Sequence, residues 1–379
     1  MRRSLLLALA AVGLLSGCSS LMFWRKSEPL EQPAPLKPFT ASTQITRQWY
    51  LSGGDIEKTL LQPAVSGEAV FAASAKGDVS RIEKGKKVWT TRIDEGLVAG
   101  VGAGYGLVVV ASRRGVLTAL DEKDGKRKWV FTVTGEINGA PMLDGDQVYA
   151  RVGDARIVAL DMAGGKPRWT YSRTTPPLSL RTYNGLRRFD RFVFAGFAGG
   201  RLAAVSTNNG QLAWEGSVAF PKGSTELERL ADVVGEAVPS GRRLCAAAFQ
   251  GRVTCFDVSK GEAIWGRDIS SPVGVDADSR RVFVTDERGA VYALDADSGA
   301  TIWKQDELKL RRVGRPLSLD NYVAVADFEG YVHLLDKSDG HFVARLATDG
   351  TPIAAPLVRT DEGFVAQTED GALYALKAD

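Results

Sequence analysis

The chain has 379 residues, 48 basic and 45 acidic side chains, and a formal net charge of +3. With 44% hydrophobic and 25% charged residues it reads as an ordinary globular protein, and the near-neutral balance argues against a nucleic-acid binder. Only two histidines are present, His333 and His341, which removes the basis for His-dependent nucleophilic triads and His-rich metal sites.

The chain opens with Met1, Arg2 and Arg3, followed by an apolar run from Ser4 to Leu15 that is too short for a membrane span of about 20 residues. Residues 1–17 therefore read as a signal peptide. The segment Leu15, Ser16, Gly17, Cys18 resembles a bacterial lipobox, which implies that Cys18 is lipidated and becomes the mature N-terminus. Acyl chains on Cys18 would anchor the protein to a membrane without spanning it. In lipoproteins of this kind an aspartate after the cysteine favours retention in the inner membrane. Ser19 stands there, so the expected location is the outer membrane, facing the periplasm. Residues 18–43 hold Pro29, Pro33, Pro35 and Pro38 and read as an extended tether, with Phe23 and Trp24 close to the lipid.

Residues 44–379 are one repeat read eight times. The clearest copies run from Gly115 to Trp129 and from Gly289 to Trp303. Each places an apolar strand before an Asp-x-x-x-Gly turn, as at Asp121–Gly125, and a Trp strand after it. The apolar residues ahead of the Asp slot are Ile82, Leu120, Leu160, Val205, Phe256, Leu294, Leu335 and Leu376, a period of about 42 residues. Four short strands per period, with glycine turns and prolines suited to sheet edges (Pro63, Pro141, Pro316, Pro356), predict an all-β, eight-bladed β-propeller of four-stranded antiparallel blades. Seven tryptophans lie on the repeat: Trp49, Trp89, Trp129, Trp169, Trp214, Trp265 and Trp303. The seventh unit has Ala344 in that slot, and the eighth ends at Asp379 before any Trp strand. Trp49 precedes the first unit. The segment around Ile45–Tyr50 is therefore expected to supply the outer strand of the last blade and close the ring.

The Ala-x-Asp-x-x-x-Gly-Lys-x-x-Trp pattern at 119–129, seen again at 159–169, resembles the tryptophan-docking motif of PQQ-type propellers. Together with the lipobox and the length, it resembles the BamB family of lipoproteins of the outer-membrane β-barrel assembly machinery. The resemblance covers essentially all of the mature chain. It implies a non-catalytic scaffold that docks on a periplasmic POTRA domain of the barrel subunit and assists insertion of nascent outer-membrane proteins.

The alternative is a PQQ-type quinoprotein or another propeller enzyme of the periplasm, because quinoprotein dehydrogenases share this repeat. They are generally much longer and carry a vicinal Cys-Cys disulfide, a calcium site and a catalytic aspartate. No Cys-Cys pair occurs here, and Asp121, Asp161, Asp257, Asp295 and Asp336 fill one turn-capping slot. No catalytic residue, cofactor or metal is expected. Cys245 and Cys255 lie in neighbouring strands, and an exported chain permits a disulfide. The register inferred from the turn at Gly251 sets Thr254 opposite Cys245, so two buried free thiols are expected. His333 is expected on a strand, and His341 just beyond a turn.

Two connections exceed the repeat, after Trp169 and after Trp214, and should emerge on one face from adjacent blades. Residues 170–191 hold Arg173, Arg181, Arg187, Arg188 and Arg191 against Asp190. Residues 215–241 hold Glu215, Glu226, Glu228, Asp232 and Glu236 against Lys222 and Arg229. Either the two loops neutralise each other, or they form a partner site with opposed charges for orientation and leucines for affinity. The family resemblance implies the latter, with Leu178, Leu180, Arg181 and Asp232 as contacts. The family pattern has a second acid two residues after the first, and this chain has Val234 there. Lys337 and Asp339, on the seventh blade, are expected to be exposed and outside any interface.

Overall fold

The structure, a computed structural model, describes residues 31–379 apart from 55, 57, 58, 60, 175, 177, 181–184 and 354. The expected signal peptide, Cys18, Trp24 and Arg181 lie outside the described residues. Among the described residues there are thirty-two strands and no helix, arranged as eight four-stranded antiparallel sheets. This is the eight-bladed propeller that the repeat predicted.

Blades one to seven are each built from four consecutive strands, covering 64–92, 102–132, 142–171, 186–217, 233–267, 275–305 and 317–347. Blade eight takes its three inner strands from 358–378 and its outer strand, Ile45–Leu51, from the other end of the chain. Ile45 pairs with Ala378 and Leu51 with Leu373, so the two ends of the chain seal the ring. The Asp379 amide donates to the Gln44 carbonyl at 3.1 Å, and the hydroxyls of Thr43 and Thr46 donate to Asp379 oxygens. The innermost strands of blades one to seven touch in succession, and that of blade eight touches blade one.

Position in the blade sets composition. The second strand is enclosed on both faces and reads as an unbroken apolar run, as in Leu107–Ala111, where every residue is buried. The outer strand faces water on one side and alternates, as in Arg127–Thr132, where Trp129 is buried between exposed neighbours. The core lies between blades. Val109, Ala119 and Trp129 of blade two pack with Val148, Val158 and Leu160 of blade three.

The Trp strands share one irregularity. Ala119 pairs with Trp129 and Leu120 with Arg127, so Lys128 is bulged out of the ladder. The same shift recurs in all eight blades, including Gln48 ahead of Trp49. A bulge re-aims the side chain beside it, here turning the indole towards the next blade. Each ring then lies on the turn glycine of that blade. An added Cβ would come within 2.5 Å of Trp265 at Gly299, 2.6 Å of Trp129 at Gly165 and 2.4 Å of Trp214 at Gly261. These glycines also have positive φ, near +70°. From blade one to blade six each indole N–H donates to a backbone carbonyl of the following blade: Trp89 to Glu122, Trp129 to Met162, Trp169 to Thr207, Trp214 to Val258, Trp265 to Ala296 and Trp303 to Lys337, at 2.8–3.1 Å. Trp49 of blade eight also meets Gly85 of blade one, where an added Cβ would come within 2.9 Å of the Trp49 Cβ and 3.3 Å of its ring.

The Asp of each turn serves as expected. Asp121, Asp161, Asp257, Asp295 and Asp336 all accept from backbone N–H groups two or three residues on. At Asp257 the Ser259 hydroxyl, aided by the amides of Ser259 and Lys260, holds the carboxyl down to about 2.

Two expectations are corrected. Cys245 and Cys255 are bonded in a disulfide and stand directly opposite each other, with Thr254 opposite Ala246. The turn between them runs from Ala248 to Arg252, closed by the Ala248 amide on the Arg252 carbonyl at 2.9 Å, with Gln250 in the left-handed region at φ 47°. The loop is 249–251, one residue longer than the two-residue turn at 249–250 that the expected register implies, and one residue of slip moves a strand's whole side-chain set to the other face. Lys337 is only 8% exposed; its ammonium donates to the Leu319 carbonyl and pairs with Asp278 at 3.1 Å. Asp339 is exposed, and His341 lies beside it.

Gly299→Ala should lower stability by about 2–4 kcal/mol, from left-handed backbone strain plus collision with Trp265. Gly145→Ala, at φ 60° with nothing within 4 Å, should cost only about 1–2 kcal/mol. Urea unfolding of both variants isolates the Trp contact, and equal losses would show that the contact contributes nothing.

Candidate docking face

In every blade the turn from second to third strand and the connection from outer strand to the next blade emerge on the same face. The two longest described connections there are 172–185, leading into blade four, and 218–232, leading into blade five. They meet through one carboxylate. Asp232 is 3% exposed; its Oδ2 accepts from the Leu180 amide at 2.6 Å and its Oδ1 from the Gly199 amide at 3.1 Å. Thus the last residue of the second loop holds the first loop and the blade-four turn together. Charge-assisted bonds of this kind are stronger than neutral ones.

The base of the second loop is fixed as well. Val218 N–H donates to Gly200 O at 2.8 Å, and Thr254 Oγ1 donates to Val218 O at 2.8 Å. At the loop's crest Glu228 Oε2 accepts from the Ser224 and Thr225 amides at 2.8 and 3.1 Å, while the Glu228 amide donates to Thr225 Oγ1 at 3.2 Å. This reciprocal arrangement is that of a capping box. The Ser224 amide, then that of Thr225, hold the Glu228 carboxyl below the usual glutamate range.

Phe220 and Leu227 are 60% and 64% exposed, and Leu178 of the first loop is 42% exposed. Leu180 is half-buried. Of the expected contacts, then, Leu178 is at the surface, Leu180 is partly covered and Asp232 is inside as the bridging acceptor. Val234, where the family pattern has a second acid, is 1% exposed and pairs with Ala247 within the blade.

Much of the opposed charge is spent internally. Arg173 pairs with Glu215 at 2.8 Å, Arg187 with Glu236 at 3.7 Å and Arg188 with Asp144 at 2.8 Å. Internal pairing therefore describes these residues, and the exposed part of the two loops sets Leu178, Phe220 and Leu227 among polar and charged neighbours such as Lys222, Glu226 and Arg229.

Sequence reasoning missed Arg151. It reads as one polar residue in a buried strand, yet it ties blade three to blade four beneath the first loop. Arg151 is 6% exposed, donates to the Gly196 carbonyl at 3.2 Å and lies 4.0 Å from the Phe197 ring centre. Burial, then the neighbouring Arg173, hold its guanidinium down to about 10. It lines a small cleft with Asn138, Ser179, Leu180 and Asp232.

Eight blades, seven of them carrying a Trp that docks on a glycine of the next, with Asp-capped turns, define a PQQ-like-repeat β-propeller. The family model described as "Outer membrane protein assembly factor BamB" matches residues 75–305 and 287–379. The chain is 37% identical to the outer membrane protein assembly factor BamB of Bordetella pertussis, over 96% of this chain and 94% of that one. The crystal structure of BamB from Moraxella catarrhalis superposes with a TM-score of 0.82 at 27% identity, covering 88% of this chain and 99% of that one. The chain belongs to the BamB family. Quinohemoprotein alcohol dehydrogenase from Comamonas testosteroni, at 13% identity, a TM-score of 0.66 and coverage of 88% and 76%, shares the fold alone.

Asp232→Ala would leave the Leu180 and Gly199 amides without their acceptor, at about 1–3 kcal/mol for each buried group. Hydrogen exchange should rise at residues 178–180 and 199 and stay unchanged in blades seven and eight. Unaltered exchange at Leu180 would mean that the carboxylate does not hold the loop.

Proposed function

We propose that this chain is a non-catalytic scaffold of outer-membrane protein assembly that docks on a POTRA domain of the barrel-assembly subunit through the loops 172–185 and 218–232. The observation that carries this reading is the Asp232 bridge, which makes two irregular loops on adjacent blades into one surface. Leu178, Phe220 and Leu227 supply apolar contact, and Arg181 supplies the charge for orientation. Asp232 acts from beneath, by fixing Leu180. Family membership supports the role in assembly. Lipidation at Cys18 would keep the scaffold on the periplasmic side of the outer membrane, within reach of nascent barrel chains.

Arg181→Glu, and separately Leu178→Asp with Leu227→Asp, should weaken capture of the purified POTRA region by about thirtyfold or more, the loss of one interface anchor. Their melting curves should match the parent's. Asp339→Lys, on the opposite face, should bind normally. Parent-like binding by both loop variants would remove this face as the docking site.

Cys18→Ala should move the chain from the membrane fraction to the soluble fraction in cells lacking the barrel subunit. A variant that stays membrane-bound through a salt wash would refute the anchor.

A further inference from the structure

Residues 34–43, read from sequence as the end of a free tether, belong to the compact unit that begins at Ala34. They cross the flank of blade seven. The Ala34 amide donates to Lys309 O at 2.9 Å, and the amides of Ser42 and Thr43 donate to Val343 O at 3.1 and 3.3 Å. Leu36 packs against the cluster of Trp303, Leu308 and Val313, and the Phe39 ring lies 5.7 Å from that of Phe342. Two arginines grip the backbone between these points: Arg311 donates to Ala34 O at 3.1 Å and Arg345 to Lys37 O at 3.1 Å.

Both arginines are seated on one buried pair. Arg311 Nε donates to Asp327 Oδ2 at 2.7 Å, and His333 Nε2 lies 3.1 Å from that same oxygen. Arg345 Nε donates to His333 Nδ1 at 3.0 Å, which requires a neutral imidazole with its proton on Nε2. Asp327 and His333 are fully buried and Arg311 is 2% exposed. The backbone on either side of Arg311 is strained, with Leu310 at φ 61° and Arg312 at φ 48°. Left-handed backbone at two non-glycine residues persists where the surroundings impose it. Here it turns Arg311 inward, towards Asp327.

Topology gives the crossing its meaning. Ile45 pairs with Ala378 and thus begins its strand on the face opposite the docking loops. Val343 lies near that face, whereas Lys309 lies in the connection from blade six to blade seven, on the docking face. We propose that residues 34–43 are a clamped strap, held by Arg311 and Arg345, which brings the chain's upstream end out of the propeller on the docking-loop face instead of the opposite one. If Cys18 carries the anchor, a point that rests on the reading above, the chain that leads to it leaves the ring on the docking-loop side.

The test uses the full-length chain and does not depend on the anchor or the partner. Hydrogen exchange at residues 34–43 should be well slower than in an unstructured peptide. Leu36→Asp and Arg345→Ala should each raise it on the order of tenfold, as the loss of about 1.4 kcal/mol does, with the melting temperature of Leu36→Asp unchanged. Leu36→Asp leaves the propeller's own residues intact, so it reads the strap even if Arg345→Ala loosens blade seven. Spin labels at Pro35→Cys and Glu287→Cys should report a shorter distance than labels at Pro35→Cys and Asp339→Cys. Peptide-like exchange in the parent, parent-like exchange in Leu36→Asp, or a shorter distance to Asp339 would each overturn the clamp.

Discussion

An indole laid flat on a glycine of the next blade is the contact on which the rest of this molecule depends. It requires three things at once: a bulge that turns the Trp sideways, a residue without Cβ beneath the ring, and a carbonyl placed for the indole N–H. Sequence meets all three with one short motif, repeated. The exceptions follow the same logic. Blade eight has no covalent turn between its third and outer strands, because the outer strand comes from the chain's other end. A Trp in blade seven would find no glycine turn to dock on, and that slot holds Ala344. Trp49, orphaned in sequence, meets Gly85 and completes the circle.

A ring locked by Trp on Gly at seven of its eight joints frees its connections from much of the duty of holding the fold. That freedom lets two adjacent connections lengthen, and a buried carboxylate then makes them one surface. The Asp232 carbonyl extends the blade-five ladder by accepting from the Phe249 amide, while its carboxylate fixes Leu180 and the blade-four turn. The same face bears the Arg311–Asp327–His333–Arg345 cluster, where charged side chains organise another irregular stretch, residues 34–43. In both places buried charge is used for position: the carboxylates and guanidinia bind backbone groups of segments that have no strand partners.

The architecture was legible because repetition multiplies weak signals. Eight anchors, seven tryptophans and one orphan strand each constrain the ring, and a misjudged turn in one unit does not disturb the count. Side-chain direction had no such support. The Cys245–Cys255 pairing depended on a single turn length, which a left-handed Gln250 extended by one residue. Lys337 looked solvated because lysine in a turn usually is, yet its ammonium reaches inward to Leu319 and Asp278. Asp232 read as a surface acid because its loop is acidic, whereas its carboxylate faces inward. The prolines of 34–43 speak against a helix or a paired strand, but no local pattern tells such a segment what it lies against. Arg311 and Arg345, the residues that decide this, are some three hundred positions away.

The most direct measurement places a photo-crosslinking amino acid, in turn, at Leu178, Phe220, Leu227 and Asp339 of the full-length protein in its native envelope, and identifies the adducts by mass spectrometry. A rigid ring presenting one docking face predicts adducts to a single POTRA domain of the barrel subunit from the first three positions, and none from Asp339. Adducts from Asp339 to that domain, with none from the two loops, would contradict the account.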